Sequence, residues 1–127
     1  MQESETIEFK SSFNEATIET LVAFANTQGG TVFIGVNDDA TNQGIQLGKE
    51  TIQKWLNEIK IKTQPAIIPT VKELDFKGKT VATIYVQEFP LKPISYKGRY
   101  YKRVNNSNHQ LSPIEITDLN LQSLQLS

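Results

Sequence analysis

The sequence lacks cysteine and contains one histidine, His109, among its 127 residues. Without cysteine the chain can form neither a disulfide bond nor a thiolate metal site. With one histidine it offers no second imidazole to share a metal, and no Ser/His/Asp triad can be argued. Long apolar runs are also missing, and the polar, acidic N-terminus differs from the basic and then apolar start of a signal peptide. We therefore expect a cytoplasmic protein that does not bind a membrane.

The residues that are present have the proportions of an ordinary globular protein. Hydrophobic residues make up 38% of the chain and charged residues 21%, which is typical of such domains. A chain of 127 residues is long enough to bury a core without disulfide or metal support. We predict a single domain over residues 1–127.

Charge is unevenly distributed, although the formal net charge is only −1. Residues 1–59 carry nine acids and three bases, whereas residues 72–103 carry eight bases and three acids. An anionic partner would therefore be attracted to the second half of the chain. The alternative is that these cations are solvated hairpin residues that bind nothing, and charge alone favours that alternative.

The predicted fold is organised around residues 19–38, which indicate the end of a helix, a glycine stop and a strand. The helix is predicted from Glu15 to Gln28, and the glycine pair that follows suits its C-terminal cap. Residues 31–36 are a continuous run of β-branched and aromatic residues, which predicts a strand in the interior of its sheet. Because the helix precedes the glycines, its carbonyl end faces them, and this order excludes a P-loop type of phosphate site.

Two other segments of the first half have clear periodicity. Residues 6–10 alternate between apolar and polar side chains, which predicts a short strand. Residues 49–62 carry apolar side chains at helical spacing, which predicts a second helix. Trp55 lies in this apolar stripe, so we expect it to pack in the core rather than to stack on a ligand.

The second half of the chain is dominated by predicted hairpins. Residues 71–88 and 94–104 each indicate two strands joined by a Lys-Gly turn, and residues 105–110 are predicted to form a loop. Residues 113–124 predict a last helix that begins with a capping box at Ser112. The apolar residues of this helix occupy more than one face, which indicates a second contact surface. Together these elements predict an α+β fold with a mixed β-sheet and about three helices.

Several short motifs, in this order, resemble the Schlafen/AlbA-like domain. They are Glu8-Phe9-Lys10, FANTQGGT at residues 24–31, IGVND at residues 34–38, and Tyr101-Lys102-Arg103 followed by Ser107-Asn108. This domain stands at the head of many bacterial transcriptional regulators and forms the core of Schlafen proteins. The resemblance covers nearly the whole chain, and it implies an α+β fold that binds nucleic acid, either DNA or RNA. A single copy is then expected to pair as a homodimer, for which the apolar last helix is the candidate surface.

The resemblance directs attention to the basic and aromatic residues of the second hairpin as the nucleic-acid contacts. Cations neutralise phosphates, and tyrosines stack on bases or donate hydrogen bonds. The candidate binding residues are Lys10, Lys97, Arg99, Tyr101, Lys102, Arg103 and Asn108. Along the last strand of this hairpin, Arg99, Tyr101 and Arg103 share one face, opposite Tyr100 and Lys102. We expect the cations to point outward and to gather on one continuous surface.

The resemblance also carries an enzymatic alternative. Some Schlafen members are metal-dependent ribonucleases, and the motif positions of their acidic residues match Glu3, Glu8 and Asp38. Carboxylate oxygens suit Mg²⁺ or Mn²⁺ acting on phosphodiesters, so these three residues are candidate catalytic and metal-binding residues. Against this, Glu8 could pair with Lys10 or Arg103, and Asp38 could cap a turn. A dimerisation module without either activity is the third alternative.

One departure from the family pattern lies after the Tyr101-Lys102-Arg103-Val104 segment. The family usually has a glycine there, and this chain has Asn105. Asparagine tolerates the left-handed backbone conformation better than other residues with a side chain. We therefore expect the turn to be retained.

Overall fold

The computed structural model describes residues 1–126, and these form three α-helices and eight β-strands. The elements in chain order are β1 (Ile7–Lys10), α1 (Glu15–Ala25), β2 (Gly30–Ile34), α2 (Thr51–Lys62), β3 (Thr63–Gln64), β4 (Thr70–Phe76), β5 (Lys79–Val86), β6 (Ser95–Tyr96), β7 (Arg99–Val104), β8 (Ser107–Gln110) and α3 (Pro113–Leu126). The α+β prediction with three helices is confirmed. None of the described helices combines the length and the apolar character needed to cross a bilayer.

The strands form two four-stranded sheets rather than one. The first has the order β1-β2-β5-β4 and is mixed, because β1 and β2 are parallel whereas β5 is antiparallel to both of its neighbours. The second has the order β3-β6-β7-β8 and is antiparallel throughout. Strands β2 and β5 are interior, as their apolar sequences predict.

Helix α1 packs against strands of both sheets and thereby joins them. Its side chains Ile18, Leu21 and Phe24 are fully buried. They share one core cluster with Ile84 of the first sheet and Tyr101 of the second. Burying a large apolar side chain contributes about 1.5–3 kcal/mol, so this shared core is the main apolar link between the sheets.

The turn after α1 depends on Gly29. The helix ends at Ala25, three residues earlier than predicted, because the chain turns before it enters β2. Gly29 has a φ of +79°, and its N–H donates to the carbonyl of Phe24 at 2.7 Å. A Cβ at this position would lie 2.8 Å from the carbonyl oxygen of Val86. Both the left-handed conformation and the close approach of β5 therefore require glycine here.

The prediction of a loop at residues 105–110 is wrong. Residues 107–110 form β8, which pairs with β7 so that Val104 lies opposite Ser107. Asn105 has a φ of +54°, as expected for the family's glycine position. Since two-residue turns of this kind match the twist of a hairpin, Asn105 and Asn106 close a third hairpin instead of starting a loop.

Two expectations about the helices are confirmed. Trp55 of α2 is half-buried and stacks on Phe13, with ring centroids 5.0 Å apart. At the start of α3, the N–H of Glu115 donates to the Ser112 hydroxyl at 3.3 Å, and the N–H of Ser112 donates to the Glu115 carboxylate at 2.9 Å. Trp55 is thus a packing residue, and the capping box is formed.

Candidate nucleic-acid interface

Arg103, expected to face solvent, is buried with only 3% of its surface exposed. Its guanidinium lies 2.8 Å from a carboxylate oxygen of Glu8. It also donates to the carbonyls of Ser4 and Ile7, at 2.9 and 3.2 Å, and to the side-chain oxygen of Asn108 at 2.8 Å. The expectation of an outward cation at this position is therefore wrong, because Arg103 makes its contacts within its own chain.

The alternation of β7 explains this position. Tyr101 and Arg103 lie on the face that packs against α1, and Tyr101 is part of the core. The guanidinium carbon of Arg103 lies 5.0 Å from the centre of the Phe24 ring, which adds a cation–π contact. Asn108 of β8 is tied to the same helix, since its amide donates to the Thr20 hydroxyl at 2.9 Å. Three predicted binding residues therefore hold the second sheet on α1.

Glu3 and Glu8 lie side by side next to Arg103. Burial, together with the hydrogen bond to Glu3, raises the pKa of Glu8 to about 7, although Arg103 and Lys10 act in the opposite direction. Burial also acts to raise the pKa of Glu3, but hydrogen bonds from Glu8 and from the N–H of Phe9, at 3.0 Å, hold it below its ordinary value. The two carboxyl groups therefore share one proton near neutral pH.

Asp38 does not complete a metal site with this pair. Strand β2 ends at Ile34, and Gly35, with a φ of +104°, turns the chain out of the sheet before the exposed Asp38. Among residues 1–126, no three Asp, Glu or His side chains are grouped so that they could hold a metal ion. The pair of Glu3 and Glu8 alone does not fit the predicted Mg²⁺ or Mn²⁺ site, so the nuclease alternative stays a prediction.

The turn between β6 and β7 presents two exposed cations, Lys97 and Arg99, which with Gly98 we call the hairpin tip. The Lys97 ammonium pairs with the carboxylate of Glu15 and lies 5.5 Å from the centre of the Tyr96 ring. Hydrogen bonds from Lys97 and Tyr96 lower the pKa of Glu15 to about 2. Within the described chain, Arg99 forms no ion pair with a carboxylate.

The other face of β7 carries Tyr100 and Lys102, and with His109 of β8 they form what we call the open face. His109 is exposed and lies directly opposite Lys102 in the β7–β8 ladder. Lys102 pairs with Glu115 of α3, and its hydrogen bond is the main cause that lowers the Glu115 pKa to about 2. The predicted loop at residues 105–110 did not place His109 beside Lys102; the signal for a hairpin was the pair Asn105-Asn106, which forms its turn.

The remaining predicted cation, Lys10, also pairs with Glu8, at 3.7 Å. The predicted basic set is therefore divided among three places: Lys10 and Arg103 beside Glu8, Lys97 and Arg99 at the hairpin tip, and Lys102 on the open face. The expectation that the cations gather on one continuous surface is wrong. Only the tip and the open face remain available for an external ligand within this set.

At about pH 8, above the pKa of Glu8, replacing Arg103 by methionine is expected to lower the free energy of unfolding by about 3–5 kcal/mol, because the Glu8 carboxylate would stay buried without its main cationic partner. Adding Glu8→Gln to Arg103→Met is expected to recover part of this loss, since an amide costs less to bury than a carboxylate. Urea unfolding of both variants and of Glu8→Gln alone measures the coupling. If the effects of the two substitutions simply add, the direct Arg103–Glu8 interaction is contradicted.

The free energy of unfolding is also expected to depend on pH through Glu8. Its pKa in the folded protein, about 7, lies above its ordinary value of 4.5, so the folded protein retains a proton that the unfolded chain has released. Stability from this group is present in full below that ordinary value and is lost as the pH rises through 7. Urea unfolding from about pH 5 to about pH 8 measures the slope. Parallel curves for the unaltered chain and Glu8→Gln would contradict this origin.

The comparisons with known proteins agree with this fold. The family model described as Schlafen, AlbA_2 matches residues 3–112. The DIP2311 protein of Corynebacterium diphtheriae superposes with a TM-score of 0.70 at 20% identity, over 91% of this chain but 23% of its own length. The N-terminal domain of a Nitrosomonas europaea protein related to the ATP-dependent DNA helicase RecG superposes with a TM-score of 0.62 at 26% identity, over 88% of this chain and 86% of that domain. Since the family model spans most of the chain and includes the motifs that build the Arg103 site, this chain belongs to the Schlafen AlbA_2 family.

Proposed function

We propose that this chain is a nucleic-acid-binding module whose phosphate contacts come from the hairpin tip and the open face. The observation that carries this proposal is the exposure of Lys97 and Arg99 on one turn. Membership of the Schlafen AlbA_2 family supports it, as does the similarity to a domain of a protein related to a DNA helicase. We further propose that the module serves a cytoplasmic transcriptional regulator.

The conformation of the tip suits contact with a phosphate backbone. Lys97 and Gly98 both have positive φ, 52° and 74°, which gives the tight turn favoured between two antiparallel strands. Among the described residues, none other than its chain neighbours has an atom within 4 Å of the position that a Cβ of Gly98 would occupy, so Gly98 itself is accessible. A phosphate could therefore approach Arg99 directly and replace Glu15 as the partner of Lys97.

Replacing Glu15 costs the domain little. Exposed ion pairs contribute little to stability because water screens them, and both Lys97 and Glu15 are more than half exposed. A phosphate diester gives up no buried contact when it binds at the tip, and its neutralisation by a cation releases counterions. The tip therefore exchanges an internal carboxylate for an external phosphate at low cost.

Pairing of two copies would increase the number of phosphate contacts. Helix α3 buries part of one side, at Ile116 and Leu119, while Ile114 and Leu121 on the opposite side are 70% and 54% exposed. We propose that this second side of α3 forms a homodimer, since burying both side chains removes apolar surface from water. A dimer would present two hairpin tips to one nucleic acid.

Replacing both Lys97 and Arg99 by alanine is expected to weaken binding to a duplex because two phosphate contacts are lost. The slope of log affinity against log salt should fall by about 0.9 for each contact. Fluorescence anisotropy with a labelled duplex at several salt concentrations measures both quantities. The matched control is Lys54→Ala, which removes an exposed cation from α2. Equal slopes in the double variant and the control would contradict the proposal.

Leu121→Glu is expected to convert a dimer to a monomer, because a carboxylate would be placed within an apolar contact. Light scattering of the unaltered chain should give twice the mass of this variant. Ile61→Glu is the control, since Ile61 is an apolar residue on α2 that is even more exposed than Leu121. A monomeric unaltered chain, or a variant that remains dimeric, would contradict a dimer through α3.

A further inference from the structure

Within residues 1–126, the first sheet has a face against which no helix core cluster packs. Paired residues point to the same side of a sheet, and the register places Phe33 opposite Phe9 on β1 and opposite Thr83 on β5. Thr83 in turn pairs with Lys72 of β4. Helix α1 packs on the other side, where Val32 belongs to its cluster. We call the uncovered side of this sheet the outer sheet face.

A loop covers only one end of the outer sheet face. After β2, Ala40 packs against Phe9 and Val81 on this face, whereas Ile45 and Leu47, further along the same loop, pack on the α1 side. Under this loop Phe9 and Val81 are buried. Beyond the loop, Tyr85 is 48% exposed, so the other end of the face carries an accessible aromatic ring.

The accessible end combines flat rings with small polar groups. Tyr85 lies opposite Thr31 of β2, and Phe33, one pair further along, is half-buried. A groove lined by Ile68 and Gln87, among others, continues past Tyr85. Aromatic rings exposed on an open sheet offer stacking surfaces to planar ligands, and every nucleobase has such a surface.

Charge is sorted between the two sides of this sheet. Within the four strands, the positions on the outer sheet face carry Lys72 and Lys79 and no carboxylate. The acidic residues of these strands, Glu8, Glu73 and Asp75, occupy positions on the opposite side. Within its four strands the outer sheet face therefore complements an anionic ligand, while the exposed Asp38 and Asp39 lie on the loop at its covered end.

We propose that the outer sheet face binds single-stranded nucleic acid, with bases stacked on Tyr85 and Phe33 and phosphates near Lys72 and Lys79. A single strand can place unpaired bases flat on the rings, which a duplex cannot do. The half-exposed rings alone would also suit a protein partner, but the lysines and the absence of acids from this side of the described strands favour a polyanion. This surface is separate from the hairpin tip, so the proposal does not rest on the tip binding duplex.

The test is anisotropy titration of a labelled twelve-nucleotide oligo-dT and of a labelled duplex with the full chain. Tyr85→Ala is expected to weaken oligo-dT binding roughly five- to a hundredfold, because one stacked base is lost. Tyr85→Phe keeps the ring and is expected to bind within about twofold of the unaltered chain. Lys72→Ala should lower the salt slope for oligo-dT by about 0.7.

Two further comparisons separate this proposal from the function proposed above. The double variant at Lys97 and Arg99 is expected to lose affinity for the duplex. Adding Tyr85→Ala to that double variant is still expected to weaken oligo-dT binding, because the stacking contribution persists. A folded Tyr85→Ala variant, verified by circular dichroism, that binds oligo-dT normally would overturn the proposal. Equal weakening by Tyr85→Phe would exclude stacking and overturn it as well. A change in mass on light scattering with Tyr85→Ala and unchanged oligo-dT binding would assign the face to a protein partner instead.

Discussion

The structure depends on one buried contact, the pairing of Arg103 with Glu8. The two residues are distant in sequence, and their contact joins the last long strand of the second sheet to the first strand of the first sheet. A buried ion pair alone is weak evidence for stability, because both ions lose their hydration. Here the guanidinium also satisfies the carbonyls of Ser4 and Ile7 and the side chain of Asn108. A lysine, with its single ammonium, could not serve all of these acceptors in their fixed geometry.

A second polar residue makes the corresponding link at the end of α1. The side-chain amide of Asn26 donates to the carbonyls of Ile94 and Tyr101, both at 2.9 Å, and its oxygen accepts the N–H of Ile94 at 2.7 Å. A buried amide group without a hydrogen-bond partner would cost about 1–3 kcal/mol. The three hydrogen bonds of Asn26 avoid this cost. Asn26, Gly29 and Arg103 all belong to the motifs that carry the family resemblance. These motifs therefore encode the assembly of the two sheets, and they say less about what the surfaces bind.

Local sequence signals predicted the parts of the fold that local forces determine. The central strand and the Ser112 capping box depend on neighbouring residues, and both were predicted correctly. The place of Arg103 could not be predicted in this way. Alternation showed that Arg103 shares a face with Tyr101, but which face is covered depends on where α1 packs. Asp38 was misplaced for the same reason, since the turn at Gly35 removes it from the strand that was expected to carry it towards Glu8.

Ion pairs within the chain also reduce the number of cations in its basic second half that are available to bind an anion. Of the eight bases at residues 72–103, four pair with carboxylates. Those without a carboxylate partner in the described chain are Lys72, Lys77, Lys79 and Arg99. Three of these four belong to β4, β5 or the turn between them, so most of the unneutralised charge lies on the first sheet and not on the hairpin that the sequence favoured.

The hairpin tip and the outer sheet face would consequently bind by different means. At the hairpin tip, a phosphate can approach Arg99 directly but must displace Glu15 from Lys97, so part of the affinity there depends on exchanging one anion for another. On the outer sheet face Lys72 and Lys79 have no such partner within the described chain, and stacking on Tyr85 adds a contribution that salt does not screen. Salt screens the whole interaction at the hairpin tip but only the lysine contribution on the outer sheet face. Increasing salt should therefore shift the domain's preference from duplex towards single strands.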